Sequence, residues 1–224
     1  MEIVCGSSDK KVNPELLARD GIIHMEKIAA KQHPVCHAPA RRTPVHCRMW
    51  RAVGCALMAG AFPSFAGPIG EQVVAGQATV SRSGNGTVIT QTGECAAINW
   101  QNFNIGVNES VRFAQPSAAS VTLNRVLGQN PTEILGTLST NGQVFLLNPN
   151  GVLFGRGAQV SVGGLVASML GLSDGDFMAG RYRLVKEGTA GEVRNAGEIS
   201  ANGGYVALIG PAGEERRRHR QCSR

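Results

Sequence analysis

From Ala75 onward the apolar positions come in short runs broken by Gly or Asn, as in "ATVSRS", "GTVITQT", "AAINW", "SVRFAQ", "SVTLNRV" and "AQVSVGGLVAS". Within the runs they alternate. Val111 and Phe113, or Val121 and Leu123, have the period-two spacing of strands with one buried face. No segment between 67 and 210 has a convincing helical period. "GGLVASMLGL" is the one local candidate, and its glycines argue against a long helix. "SRSGNGTVI" and "STNGQVF" place Asn-Gly between alternating runs and are predicted as hairpins. "LSDGDF", with Asp174 and Asp176 as neighbours, is predicted as a turn.

Late in the chain "VRNAGEISANGGYVALIG" has a loose internal echo, apolar-x-Asn-x-Gly followed by Ile-x-Ala-x-Gly. It predicts three successive short strands with Val193, Ile199, Val206 and Leu208 pointing inward. Asn195/Gly197 and Asn202/Gly203 would form the corners, where Asn and Gly adopt the backbone angles other residues avoid. One turn of a parallel β-helix takes about this length, and stacked coils show self-similarity at periods of roughly 20 residues and up. A β-sandwich is the structural alternative.

Composition sharpens this picture. Glycine is abundant (29) and aromatics are few (5%), which favours short strands and many tight turns over an aromatic core. The net charge of +6 points to a nucleic-acid partner only until the charges are located. Residues 67–210 carry slightly more acid than base, and the excess of Lys and Arg sits at the two ends. A nucleic-acid footprint needs a basic face on the folded body, so that partner is set aside. All five His lie outside 67–210, and Cys95 is the one Cys within it. A Ser-His-Asp or Cys-His centre needs an imidazole there, and a zinc site needs more N and S ligands than one cysteine offers. We therefore expect no catalytic residues, no metal and no cofactor. Cys95 is expected as a small buried residue without a disulfide partner in the domain.

Residues 49–66, "MWRAVGCALMAGAFPSFA", have the layout of a Sec signal peptide. Arg41, Arg42, Arg48 and Arg51 precede an apolar run from Ala52 to Phe62. Ser64 and Ala66 then occupy the small-residue positions before a cut between Ala66 and Gly67. The run is about half the roughly 20 residues of a membrane span. Residues 1–48 are either an extended signal region or an upstream stretch preceding a true start at Met49. We favour the second. Their His33, Cys36, His37, His46 and Cys47 match no common zinc spacing and are interrupted by prolines.

Three long stretches carry a resemblance: "INWQNFNIGVNESVRFAQPS" (98–117), "LNRVLGQNPTEILGTLSTNGQVFLLNPNGVLFG" (123–155) and "AQVSVGGLVAS" (158–168). In order and spacing they resemble the amino-terminal secretion domain of filamentous-haemagglutinin-type exoproteins. Within that family they are most similar to the branch of high-molecular-weight adhesins and haem–haemopexin-binding exoproteins. The resemblance implies an all-β chain, a right-handed single-stranded parallel β-helix of the pectin-lyase-like kind, with an amino-terminal cap and an extra antiparallel hairpin. It also implies two-partner secretion. Sec export to the periplasm is followed by recognition by an outer-membrane β-barrel transporter with periplasmic domains, and delivery to the surface of a Gram-negative cell.

The family's signature, Asn-Pro-Asn-Gly-hydrophobic, is matched by Asn148, Pro149, Asn150, Gly151 and Val152. Pro149 fixes its own φ and biases Asn148 to an extended conformation, and Asn150-Gly151 can then turn. That suffices for a corner, and the sharper reading makes the corner part of a surface the transporter reads. An upstream Asn-Pro-Asn-Leu found in some members is absent, with Asn102-Phe103-Asn104-Ile105 in its place. The resemblance marks Asn99, Trp100, Phe103, Asn104, Asn130 and Pro131 as secondary candidates, and we expect Trp100 and Phe103 to pack in the core or cap. Domain boundaries are thus expected at 49–66 for the signal, 67–210 for the secretion domain and 211–224 for a basic tail, "PAGEERRRHRQCSR", reflecting truncation or a shifted frame rather than a cap. The function expected is export of a surface adhesin whose activity resides in downstream coils. The alternatives are the same domain on a haemolysin or contact-dependent toxin, or a β-helical carbohydrate-active enzyme, which would need clustered acids.

Overall fold

A computed structural model describes residues 67–186, 191–202 and 204–210, together with the backbone of three short strands before them. Those three are β1 (Glu2–Cys5), β2 (Ala18–Arg19) and β3 (Ile22–His24). The body begins with β4 (Gln72–Ala75), β5 (Ala78–Ser83), β6 (Gly86–Gln91) and β7 (Cys95–Trp100). Next come β8 (Ser110–Ala114), β9 (Val121–Val126), β10 (Thr132–Ile134), β11 (Thr137–Thr140), β12 (Gln143–Leu147) and β13 (Val152–Phe154). The chain continues through β14 (Gln159–Val162), β15 (Gly164–Ser168) and β16 (Leu170–Gly171), then α1 (Asp174–Met178) and β17 (Arg183–Lys186). It finishes with β18 (Val193–Asn195), β19 (Glu198–Ala201) and β20 (Tyr205–Ile209).

The pairing makes these strands a coil. β8, β11, β14 and β19 stack in parallel in one sheet, and β7, β9, β12, β15 and β20 do so in a second. β10, β13 and β18 form the third. Each turn visits the three sheets in the same order, so Gln143 sits on Val121 and Gly164 sits on Gln143. This is the expected parallel β-helix. The cap is antiparallel: β4 closes the edge at β7, and the β5–β6 hairpin closes the edge at β8. A second antiparallel hairpin, β16–β17, leaves the coil between β15 and β18 and carries α1. β3 extends that hairpin, and β1 pairs antiparallel with β20.

Two apolar cores follow from this winding. The lumen of the coil is filled by Val111, Phe113, Leu138, Val144, Leu146 and Phe154, among others. Val193, Ile199, Val206 and Leu208 pack against it from the last turn, as the internal echo predicts. The second core lies outside the coil. Val121, Leu123, Phe145, Leu147 and Val166 project from the other face of the second sheet onto Leu172, Phe177, Tyr182 and Leu184 of the excursion. The ring centroids of Phe145 and Tyr182 are 4.9 Å apart.

Several expectations need correction. The strand holding Val121 and Leu123 is not buried on one face alone: Thr122 and Asn124 are fully buried as well. "STNGQVF" is not a hairpin, because β11 and β12 belong to different sheets and Asn141-Gly142 is a corner of the coil. That corner repeats upward as Gly142, Gly163 and Gly204 in register; a β-carbon on Gly163 would lie 2.6 Å from the Gly142 carbonyl oxygen, so the column has no room for side chains. "LSDGDF" forms the helix α1 rather than a simple turn, because the Ser173 hydroxyl caps it by accepting from the Asp176 amide. "GGLVASMLGL" is strand throughout its regular parts. Cys95 is buried as expected and is disulfide-bonded, which leaves the expectation of no partner within 67–210 intact.

Candidate functional site

The candidate site is the corner between β12 and β13. Asn148 is fully buried, and its side chain is used to capacity. Its Nδ2 donates to the Asn130 carbonyl (3.0 Å) and to Thr132 Oγ1 (3.0 Å), both on the turn below. Its Oδ1 accepts from the Asn150 amide (2.9 Å) and from Asn150 Nδ2 (3.2 Å). The first of these is the side chain-to-backbone closure, two residues on, that Asn performs in turns. The Asn148 carbonyl accepts from the Gly151 amide (3.0 Å), completing a four-residue turn with Pro149 at its second position. Asn150 Nδ2 also reaches down to the Gly128 carbonyl (2.8 Å).

Gly151 has φ 117°, and a β-carbon there would approach the Glu192 carbonyl oxygen to 2.8 Å. The turn above therefore lies directly on it. The Val152 amide donates to that same Glu192 carbonyl, and the Gly151 carbonyl accepts from the Thr132 amide. The signature is thus clamped from both sides, by 128–132 beneath and 191–192 above. Pro149 and Asn150 are left half-buried at the surface. Beside them runs a groove of about 320 Å³ floored by Leu147, Leu170 and Gly171 and walled by Arg125, Leu127 and Gln129.

The secondary candidates divide. Asn130 and Pro131 are exposed, and Asn130 joins the site through its carbonyl, as acceptor for Asn148. Trp100 and Phe103 are fully buried, edge to face at 5.3 Å, so they are core residues of the capped end. Asn104 accepts the Glu133 amide through Oδ1 (2.9 Å), and Asn99 accepts from Arg125 (3.0 Å). None of these four shares the corner with Asn148. Val152 is buried in the lumen. Gly67 opens the described body, and Ala66 lies outside the described residues. Among the described residues there is no group of three or more His, Cys, Asp or Glu that could hold a metal ion.

A model of the TPS secretion domain family matches residues 66–221. The chain belongs to that family. This TPS domain is 41% identical over 151 residues to a heme/hemopexin-binding protein of Haemophilus influenzae strain Rd, covering 64% of the chain and 17% of that relative. It is 39% identical over 102 residues to a second Haemophilus influenzae heme/hemopexin-binding protein, covering 45% of the chain and 11% of the relative. The crystal structure of the HMW1 secretion domain from Haemophilus influenzae superposes with a TM-score of 0.59 at 36% identity, covering 64% of this chain and 39% of that one. The TPS domain thus spans a small fraction of the curated relatives it matches. Membership implies a cognate outer-membrane transporter as the class of partner.

Sequence reasoning missed the polar column of the TPS domain. Gln115 Nε2 donates to Thr122 Oγ1 (3.0 Å) and to the Gln143 carbonyl (3.2 Å), and its Oε1 accepts from Thr140 Oγ1. Thr122 donates onward to Gln91 Oε1 (2.5 Å), and Trp100 Nε1 donates to Asn124 Oδ1 (3.0 Å). Arg125 was missed too. It ties the coil to the excursion by donating to Asn99, to the Leu172 carbonyl (2.5 Å) and to Asp174 (2.8 Å). The available signal was the set of isolated Gln, Thr and Asn inside otherwise apolar runs.

Proposed function

We propose that residues 67–210 are the export address of a large surface exoprotein and that the domain performs no chemistry of its own. In this reading Sec moves the chain across the inner membrane under the signal at 49–66. A β-barrel transporter of the outer membrane then engages the domain through its periplasmic part. Adhesion to a host or neighbouring cell, and any binding of the kind the relatives' names describe, is assigned to sequence outside this domain. The observation that carries the reading is the family's signature held as a rigid corner: Asn148 spends its whole hydrogen-bonding capacity on shape, leaving Pro149 and Asn150 presented at the surface.

The test separates folding from export. The chain is co-produced with an outer-membrane barrel transporter of the two-partner class, chosen as one that exports the wild-type domain, and Asn148→Ala, Asn150→Ala and Pro149→Ala are compared with wild type for protein in the medium and for the melting temperature of purified protein. The reading expects Pro149→Ala or Asn150→Ala to reduce secretion at least several-fold while the domain stays folded at the assay temperature. If secretion falls only in variants that have unfolded, the corner is structural and the transporter reads another surface.

A further inference from the structure

The last turn of the coil ends in β18, β19 and β20, and among the described residues only β20 has its outer edge occupied. β18 and β19 end their sheets, whereas β20 is followed by β1, drawn from far upstream in the chain. The register is unbroken: Glu2 lies opposite Leu208, Ile3 opposite Ala207, Val4 opposite Val206 and Cys5 opposite Tyr205. A second upstream segment attaches nearby. β3 pairs antiparallel with β17, His24 opposite Arg183 and Ile22 opposite Val185, and β2 pairs in turn with β3. Leu184 of β17 and Tyr205 of β20 share the core outside the coil, so both attachments fall on the same side of the second sheet. The two edges differ in their need for cover. β17, "RLVK", has a cation at each end, which discourages stray pairing. β20, "YVALI", has no charge and no proline, the composition of a strand that recruits others when left open.

We propose that residues 2–24 are an edge guard of the uncleaved chain: Glu2–Cys5 covers the open edge of β20, and Ile22–His24, paired to β17, holds the segment in place. From β7 to β20 each strand of the second sheet is added in parallel to the one before. β1 is added in the opposite direction, so it pairs the backbone of β20 without continuing the winding. The exposed edge then passes to a four-residue strand that begins with an acid, and short charged edges resist further pairing. Attachment at β17 makes the pairing at β20 an intramolecular event at high effective concentration. The inference takes residues 1–48 as translated, the first of the two readings of that stretch. Residues ahead of a Sec signal stay on the cytoplasmic side, and a cut between Ala66 and Gly67 parts them from the body. The guard therefore belongs to chain that folds before export, and the exported domain carries β20 uncovered.

The test keeps residues 49–66 attached, so its outcome does not depend on their being a signal. The full chain is made by cell-free translation without membranes, labelled with ¹⁵N, and its amide exchange is followed residue by residue by NMR. In wild type the alternate amides of β20 that face away from β15 are expected to exchange at least about tenfold more slowly than the outward amides of β19, which no strand among the described residues covers. Successive amides of a strand point to opposite sides, so Ile3→Pro/Val4→Pro removes the donor facing β20 whichever residue supplies it. The double variant is expected to bring those β20 amides to the β19 rate while 143–147 stay protected. It should also self-associate with rising concentration in sedimentation velocity, where wild type stays monomeric. Equal exchange at the outward edges of β20 and β19 in wild type overturns the inference, and decides the matter even where the double variant does not fold. An uncovered β20 that leaves the chain monomeric overturns the guarding role, as does a cellular precursor that begins at Met49.

Discussion

The sheet of β8, β11 and β14 and the sheet of β9, β12 and β15 belong to the same coil, yet they live in different surroundings. In the first, outward residues such as Arg112, Thr137, Gln159 and Ser161 stand in water, and β14 reads exposed, buried, exposed, buried. In the second, β12 and β15 are buried at every position. The difference arises because the β16–α1–β17 excursion covers one sheet and not the other. A parallel strand covered on both faces loses its alternation and becomes a continuous apolar run. "QVFLL" and "GLVAS" are such runs, and the signature corner begins where the first of them ends. The corner is therefore anchored to the most completely buried strand pair of the molecule.

The largest effect should separate the two sheets directly. Phe145 points out of the coil onto Phe177 and Tyr182, with nothing but core around it. Phe145→Ala is expected to cost about 3–5 kcal/mol, the usual penalty of emptying a buried aromatic site. Ser161→Ala, on the outward face of the other sheet, is expected to stay within about 0.5 kcal/mol. Urea melts of the two variants would measure the contrast, and similar losses would mean that the covered face does not act as a core.

The corner comes next. Asn148→Ala strands the Thr132 hydroxyl and the Asn130 carbonyl inside the clamp and frees the Asn150 amide, a loss of about 2–4 kcal/mol at roughly 1 kcal/mol for each net bond plus desolvation. Gly151→Ala keeps every one of these bonds but forces a β-carbon towards Glu192 at a φ that L residues avoid, costing about 1–3 kcal/mol. If Asn148→Ala melts like wild type, the buried Asn is not what shapes the turn. A smaller, local effect is expected at the hinge of the excursion. Arg125→Met removes its bonds to the Leu172 carbonyl and Asp174, and because Asp174 is 43% exposed the ion pair itself counts for little. We expect about 1 kcal/mol of global loss, with faster hydrogen exchange in 170–186 than in 143–147.

These contrasts also explain how much of the fold is legible in the sequence. The coil was legible because its corners require Gly and Asn at fixed intervals, and the lumen positions Val111, Phe113, Val193 and Ile199 alternate in the ordinary way. The two-faced burial of β9 was not, because Thr122 and Asn124 look like outward residues unless their partners across the coil, Gln91, Gln115 and Trp100, are known. Asn141-Gly142 misled for a related reason. A hairpin and a coil corner ask the same dihedral freedom of the same two residues, and only the pairing above and below distinguishes them. At the signature, Pro149 and Gly151 announced a turn, whereas the clamp by Gly128, Asn130 and Glu192 depends on contacts between turns that no local pattern carries.

The smallest expected effect lies at the capped end, where the coil meets water and charge can be titrated. Arg82 grips Glu71 with both of its terminal nitrogens, at 2.9 and 2.6 Å, and this grip holds the Glu71 carboxyl below its ordinary range. A carboxyl whose pKa is lower in the folded chain stabilises it above the unfolded value, and that contribution disappears as pH falls through the folded value. Both side chains are about a third exposed, so solvent screening limits the pair to about 0–1 kcal/mol. Glu71→Gln should therefore lower the melting temperature slightly at pH 7 and not at all near pH 2, where wild type has lost the same charge. An equal deficit at both extremes would assign the effect to packing of Arg82 against Pro68 instead, and high salt should shrink the pH 7 difference only in the electrostatic case.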